Sequence, residues 1–179
     1  MKRLGRPLAT LALSLGIAAA GASYAVASPS SPTTGSDVAQ IRQATAAYHT
    51  LDAANAAGWN VLFHDVNGLT CIADTDTPSM GAMGYHYLNP ANIGSTDPTQ
   101  PAALIFAGPH HQRLVGMEYL VIDPTGTTPM PTMDGQDFMY NAPGNRFLGD
   151  TAFWSLHVWA WDPNPSGMFA MWNPRISCP

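Results

Sequence analysis

The chain has 179 residues, of which 46% are hydrophobic and 11% are charged, a composition that excludes a disordered polymer and fits one globular domain. The formal net charge is −5 at pH 7. Without the basic leader described next, no lysine and only four arginines would face twelve acids, a net charge of −8. We therefore expect neither a nucleic-acid partner nor an anionic membrane surface, because both require clustered cations.

Residues 1–27 have the pattern of a secretory signal peptide, with a basic start, an apolar stretch and a small-x-small cleavage site. These parts are Lys2, Arg3 and Arg6, then Leu8 to Ala20, then Ala25-Val26-Ala27. The exported chain would start at Ser28. No later stretch has the eighteen or so unbroken apolar residues needed to span a bilayer, so the sequence predicts a secreted, soluble protein, extracellular or periplasmic.

The sequence then changes from a polar linker to a helix. Residues 28–36 are rich in serine, proline and threonine, which predicts a disordered linker before a single domain over 37–179. Ser36 is placed to cap a helix, and Gly58 supplies a stop signal. Apolar or buried-type residues recur at helical spacing at Val38, Ile41, Thr45, Tyr48 and Leu51, which predicts one amphipathic helix over about 37–57.

From Gly68 onward, short apolar runs separated by Gly, Pro and Asn predict strands. They cover 69–73, 82–88, 102–107, 112–122, 154–161 and, less regularly, 168–172. Residues 108–111 are a natural hairpin connection. One helix followed by such strands predicts an α+β fold, with the helix packed on a mostly antiparallel, curved sheet or partly closed barrel.

The segment 123–151 has no sustained period, and long loops in compact domains tend to be functional. We expect it to form a lid over a pocket, with Met130, Met133 and Phe138 as its apolar contacts.

Two cysteines, Cys71 and Cys178, predict a disulfide in an exported chain. A pair of thiolate metal ligands is the less favoured alternative, since usual zinc sites contain a close cysteine pair.

Glu118 is the only glutamate and lies in Leu114 to Ile122, the most apolar strand. Alternation places Glu118 with Leu114, Gly116 and Leu120 on one face, and both faces are largely apolar. A buried carboxylate is costly unless it is protonated, hydrogen-bonded or bound to a cation. Glu118 therefore needs a partner.

His86 and His157 also lie in mid-strand among apolar or aromatic neighbours. The residue two positions before each polar group is small, namely Gly84, Gly116 or Ser155, which predicts space for a ligand, a water or a metal. Two imidazoles and one carboxylate form a common ligand set for a divalent Zn, Fe, Mn or Cu ion. The alternatives are a hydrogen-bonded polar core, or a pair between Glu118 and Arg113, Arg146 or Arg175.

Other residues are candidates for supporting roles around this pocket. Tyr85, Tyr87 and His110 are possible proton donors if the protein is a metal-dependent enzyme acting on a small molecule. Trp159 and Trp161 share the face of His157 by alternation, which predicts an aromatic wall.

Methionines recur as three MxxM pairs: Met80 and Met83, Met130 and Met133, Met168 and Met171. Thioethers and imidazoles in an oxidising compartment suit Cu(I), so a copper-handling protein is one alternative. Methionine also fills irregular apolar gaps. A metal-free module of cone-like fold that binds a hydrophobic ligand is another alternative.

The motifs Met83-Gly84-Tyr85-His86-Tyr87, Glu118-Tyr119, Leu156-His157-Val158-Trp159 and 171–178 (MWNPRISC) give a resemblance to a group of small exported bacterial proteins of no assigned function. The resemblance runs from about residue 38 to the end and implies secretion and a shared pocket. The His/Glu/His order is similar to that of cupin barrels, but the paired His-x-His and the glycine spacing of cupins are absent.

Overall fold

A computed structural model describes residues 35–179, so the expected signal peptide and all but the last two residues of the linker lie outside the described residues. The helices are α1 (Ser36–Thr45) and α2 (Leu51–Ala56). The strands are β1 (Val61–Leu62), β2 (Cys71–Ala73), β3 (Ala82–Leu88), β4 (Ala103–Ala107), β5 (Arg113–Ile122), β6 (Thr132–Met133), β7 (Gln136–Asp137), β8 (Met139–Asn141) and β9 (Phe153–Val158). No helix within 35–179 has the length and apolar character needed to cross a membrane.

Two short helices occupy the place of the single helix expected over 37–57. The cap position of α1 is Gly35 rather than Ser36. Near its end, the Thr45 hydroxyl donates to the Ile41 carbonyl at 2.7 Å, a bond that competes with the helical ladder. The Thr50 side chain then accepts from Ala53 N at 3.3 Å and starts α2. The hydrogen bonds of Thr45 and Thr50 therefore favour the end of one helix and the start of another, within a stretch whose apolar spacing predicted a single helix.

The main sheet has seven strands in the order β1-β3-β4-β5-β9-β8, with β2 also paired to β3. Every strand pair is antiparallel, as predicted, and β4 and β5 form the expected hairpin. The sheet is open, so the partly closed barrel is not formed. Residues 168–172 are turns rather than a strand, and β9 ends at Val158, three residues earlier than predicted.

The two faces of the sheet bury different sets of side chains. One face, which we call the helix face, packs against α1 and α2 through a core that includes Ile41, Phe106, Tyr119 and Leu156. The opposite face, which we call the site face, is covered by the loop over 142–151 and by the C-terminal segment, which buries Ile176.

An irregularity between β4 and β5 changes the predicted alternation. Ile105 pairs with Gly116 and Phe106 with Leu114, so Val115 is an extra residue in β5. Leu114 consequently packs in the helix-face core and Val115 in the site-face core, the reverse of the faces predicted for them. Glu118 lies beyond the irregularity and remains on the site face.

The predicted disulfide between Cys71 and Cys178 is present. It joins β2 to the C-terminal segment, which also forms an antiparallel bridge between Asn173 and Ala82 on β3. The C-terminal segment is therefore held by a covalent bond and by backbone pairing.

Candidate metal centre

Three strands bring His86, Glu118 and His157 together on the site face. Glu118 on β5 is directly opposite His157 on β9. His86 lies on β3, two strands from Glu118, and β4 passes between them with Ala103 paired to Glu118. Neighbouring strands are about 4.8 Å apart, so His86 and Glu118 meet only by reaching across β4. On β4 the residue opposite Glu118 is the small Ala103, and the residue opposite His86 is Ile105.

The distances among the three polar groups match the edges of a metal coordination shell. His86 Nε2 and His157 Nε2 are 3.5 Å apart, His86 Nε2 is 3.6 Å from Glu118 Oε2, and His157 Nε2 is 3.6 Å from Glu118 Oε1. These separations exceed those of strong hydrogen bonds. A tetrahedral site with ligand distances of about 2.0–2.2 Å has edges of about 3.3–3.6 Å. The three side chains can therefore hold a metal ion with little movement.

Burial keeps all three groups in their neutral forms when no metal is bound. The side chains are 2–10% exposed. Desolvation raises the pKa of Glu118 to about 8 and lowers the pKa of His86 to about 4, a lowering that the Gly84 carbonyl partly offsets. Desolvation also lowers the pKa of His157 well below its usual value, and the neighbouring His86 adds to the effect. Neutral imidazoles are the ligand form that a metal requires, whereas Glu118 must lose its proton to bind one.

The pairing of Glu118 with an arginine, one of the alternatives above, is not found. The described arginines have other partners: Arg42 with the Ala160 carbonyl, Arg113 with Asp162, Arg146 with Asp65 and Arg175 with the Pro163 carbonyl. Among residues 35–179, no donor hydrogen-bonds the Glu118 carboxyl group, and the two imidazole nitrogens lie 3.6 Å from its oxygens. Glu118 is thus either a neutral buried acid or a ligand to a cation.

We expect the stability of the metal-free protein to be greatest near pH 6.5 and to fall on both sides. Because burial raises the pKa of Glu118, the folded state holds this proton where the unfolded chain has lost it, and stability falls as pH rises from about 4.5 to about 8. Because burial lowers the pKa of His86 to about 4, stability also falls as pH drops from about 6.5 toward 4, and the lowered pKa of His157 acts in the same direction. Urea unfolding with chelator at pH 5, 6.5 and 8 measures this profile, and a steady rise in stability from pH 6.5 to 8 would contradict it.

A small cavity of about 80 Å³ adjoins the three side chains. Apart from the three candidate ligands, its polar residues are Ser155 and Asn141. The rest of its lining is apolar: Phe63, Ile72, Met83, Leu88, Ile93, Leu120, Ile122, Phe147, Leu148, Phe153 and Met171. An ion held by the two histidines and Glu118 would therefore face an apolar space.

The space predicted beside the three small residues is found only at Ser155. A Cβ atom on Gly84 would lie 2.6 Å from the Phe106 carbonyl oxygen, and one on Gly116 would lie 2.8 Å from the Val158 carbonyl oxygen. Backbone from neighbouring strands thus occupies the volume that both glycines leave free. Gly84 also has φ +97°, a conformation that other residues rarely adopt.

The aromatic wall consists of phenylalanines and not of the two predicted tryptophans. Trp159 packs close to His157, with ring centroids 6.5 Å apart, but belongs to the neighbouring core and does not line the cavity. Trp161 lies past the end of β9, where alternation no longer applies, and its Nε1 donates to Thr45 Oγ1 of α1 at 3.0 Å.

The three candidate proton donors lie away from the candidate metal centre. Tyr85 and Tyr87 are adjacent to His86 in β3 and therefore point to the helix face. There Tyr87 Oη is 2.5 Å from His111 Nδ1, and the Tyr85 ring stacks on His111. His110 is exposed in the turn between β4 and β5. The structure does not bring these groups together with the two histidines and Glu118.

The methionine pairs are divided between the surface and the interior. Met80, Met130 and Met168 are exposed, whereas their partners Met83 and Met133 are buried and Met171 is half-buried. Met83 and Met171 come from different pairs yet line the same cavity as the two histidines. The fold therefore brings together thioethers from two different MxxM pairs.

The segment 123–151 covers the site face through residues other than those predicted. Phe147, Leu148 and Asn141 line the cavity, whereas Met133 and Phe138 pack in the helix-face core and Met130 is exposed. Arg146 fixes the loop, since its Nη2 donates to Asp65 Oδ2 at 3.0 Å and its Nη1 to the Ala73 carbonyl at 2.9 Å.

Asn141 also lines the cavity, a role that its place in the sequence did not predict. Asn141 Nδ2 donates to Ser155 Oγ at 3.1 Å, and both residues are buried. The signal was weak, since one asparagine in an aperiodic segment has nothing that distinguishes it from a turn residue.

Comparison with known proteins gives no further assignment: no protein-family model, curated protein or solved structure matches this chain.

Proposed function

We propose that this protein is exported, binds one divalent transition-metal ion through His86, Glu118 and His157, and presents that ion to a small molecule in the adjoining apolar cavity. The observation that carries the proposal is the set of three separations of 3.5–3.6 Å among buried donor atoms. Zn, Fe, Mn and Cu all accept such ligands. The disulfide supports export, because disulfides persist in oxidising compartments.

A metal held by three protein ligands retains an open coordination position. At that position the ion would act as a Lewis acid toward a carbonyl group or a bound water. The apolar lining favours such chemistry, because charge interactions strengthen where water is excluded. We propose a metal-dependent reaction on a small molecule as the activity that this arrangement supports best.

Copper binding is a second candidate, favoured by one observation. Met83 and Met171 line the cavity beside the two histidines, so soft thioether donors are available close to the imidazoles. Cu(I) prefers this combination, whereas Zn and Mn do not.

Metal binding can be tested on purified protein stripped with chelator and then supplied with Zn²⁺, Co²⁺, Mn²⁺ or Cu⁺. We expect one equivalent of metal per chain by elemental analysis and at least about a hundredfold loss of affinity in His157→Ala. His64→Ala, which removes an exposed histidine, is the matched control and should bind normally.

The outcomes separate the proposals. Preference for Cu⁺, with affinity lost in Met83→Leu and Met171→Leu, would favour the copper candidate. Failure of the wild type to bind any of the four ions would overturn the metal proposal and leave a metal-free hydrophobic-ligand module.

A further inference from the structure

We propose that the ligand of this centre is a small hydrophobic carboxylate, whose carboxylate group binds the metal while its apolar body fills the cavity. This inference rests on the proposed metal site and adds the chemical class of the ligand. Three features of the described residues support it: the charge balance, the lining and one buried hydroxyl group.

The charge balance favours a ligand with one negative charge. A divalent ion, two neutral imidazoles and the Glu118 carboxylate sum to a charge of +1. No other ionisable side chain among residues 35–179 lines the cavity. An uncompensated charge in an apolar site is costly. A monoanion neutralises the site, whereas a neutral ligand leaves the excess charge and a dianion reverses it.

The lining favours an apolar body of limited size. Nine aliphatic or aromatic side chains and the thioethers of Met83 and Met171 would surround it, and the volume of about 80 Å³ suits a short branched chain or a single ring. Sugars and amino acids carry several polar groups that this lining could not hydrogen-bond. Hydrophobic acids bury such a body without that cost.

Ser155 supplies a hydrogen-bond donor beside the metal ligands. It lies two residues before His157 on the same face of β9, about 7 Å along the strand, and is 2% exposed. Its Oγ accepts from Asn141 Nδ2, and no acceptor for its own proton is found among the described residues. The hydroxyl can therefore donate to a ligand oxygen, which makes Ser155 a positioning residue.

The test uses Co²⁺-loaded protein, whose visible absorption reports changes at the metal. Isovalerate, its neutral analogue isovaleramide, and acetate are titrated separately. We expect isovalerate to bind at least about tenfold more tightly than acetate, because its additional methylene and methyl groups are buried. It should also bind at least about tenfold more tightly than isovaleramide, which lacks the charge.

Replacement of Ser155 tests its role as a hydrogen-bond donor to the ligand. Ser155→Ala should weaken isovalerate binding by about threefold to tenfold while cobalt content stays at one equivalent. Ser166→Ala removes an exposed hydroxyl and serves as the matched control.

Each result decides between the two proposals. If the wild type binds none of the four ions, the metal proposal fails and this inference fails with it. If cobalt binds but isovalerate, isovaleramide and acetate bind alike or leave the absorption unchanged, only the carboxylate inference is overturned. Equal binding of isovalerate to cobalt-free protein would also overturn it, because the metal would then contribute nothing.

Discussion

Glu118→Gln should make the metal-free protein more stable at pH 7 while removing most of its stabilisation by metal. With its pKa raised to about 8, Glu118 must stay protonated in the folded state, which at pH 7 costs of the order of 3 kcal/mol relative to the unfolded chain. Glutamine keeps the shape without that cost. It also lacks the anionic ligand, so metal affinity should fall by at least about a hundredfold. Urea unfolding with chelator and with excess Zn²⁺ measures both effects.

The pH dependence of the stability difference between Glu118→Gln and the wild type is an internal control for this prediction. Toward pH 4.5 the glutamate becomes protonated in the unfolded chain as well, so at pH 5 the two proteins should differ by no more than about 1 kcal/mol without metal. Asp137→Asn, which changes an exposed carboxylate on β7, should affect neither stability nor zinc response. The prediction fails if Glu118→Gln is destabilised at pH 7 in chelator, or if it retains the full zinc response.

Loss of the Cys71–Cys178 disulfide should lower the free energy of unfolding by about 4 to 5 kcal/mol. The two cysteines are 107 residues apart, and cross-linking so long a loop removes much of the conformational entropy of the unfolded chain. A double replacement of both cysteines by alanine, compared with wild type in urea, measures the effect.

Reductant provides the control for the disulfide. It should destabilise the wild type to about the level of the double variant and leave the variant unchanged. Metal affinity should change much less than stability, because the bridge between Asn173 and Ala82 still holds the C-terminal segment near the cavity. A loss below about 1 kcal/mol would mean that the chain-entropy account does not apply to this protein.

Much of the candidate site was predictable because it depends on local properties of the chain. Strand periodicity places alternate side chains on opposite faces, so His86, Glu118 and His157 could each be assigned to a strand interior without tertiary information. A single glutamate in an apolar strand must find a partner, which made Glu118 conspicuous. The cysteine pair was predictable for the same reason, since two cysteines allow one intramolecular disulfide.

Only the tertiary structure decided which strands became neighbours and what occupied the space between them. The order β3-β4-β5-β9 places His86 and His157 on the same side as Glu118 and leaves Tyr85 and Tyr87 on the helix face. The gaps at Gly84 and Gly116 are filled by backbone from other strands, while Ser155 lines the cavity. A side chain's direction is set by its own backbone, whereas the volume beside it depends on residues distant in sequence. For that reason the sequence by itself indicated the three candidate ligands, whereas the order of the strands brought them together and packing determined the cavity that they face.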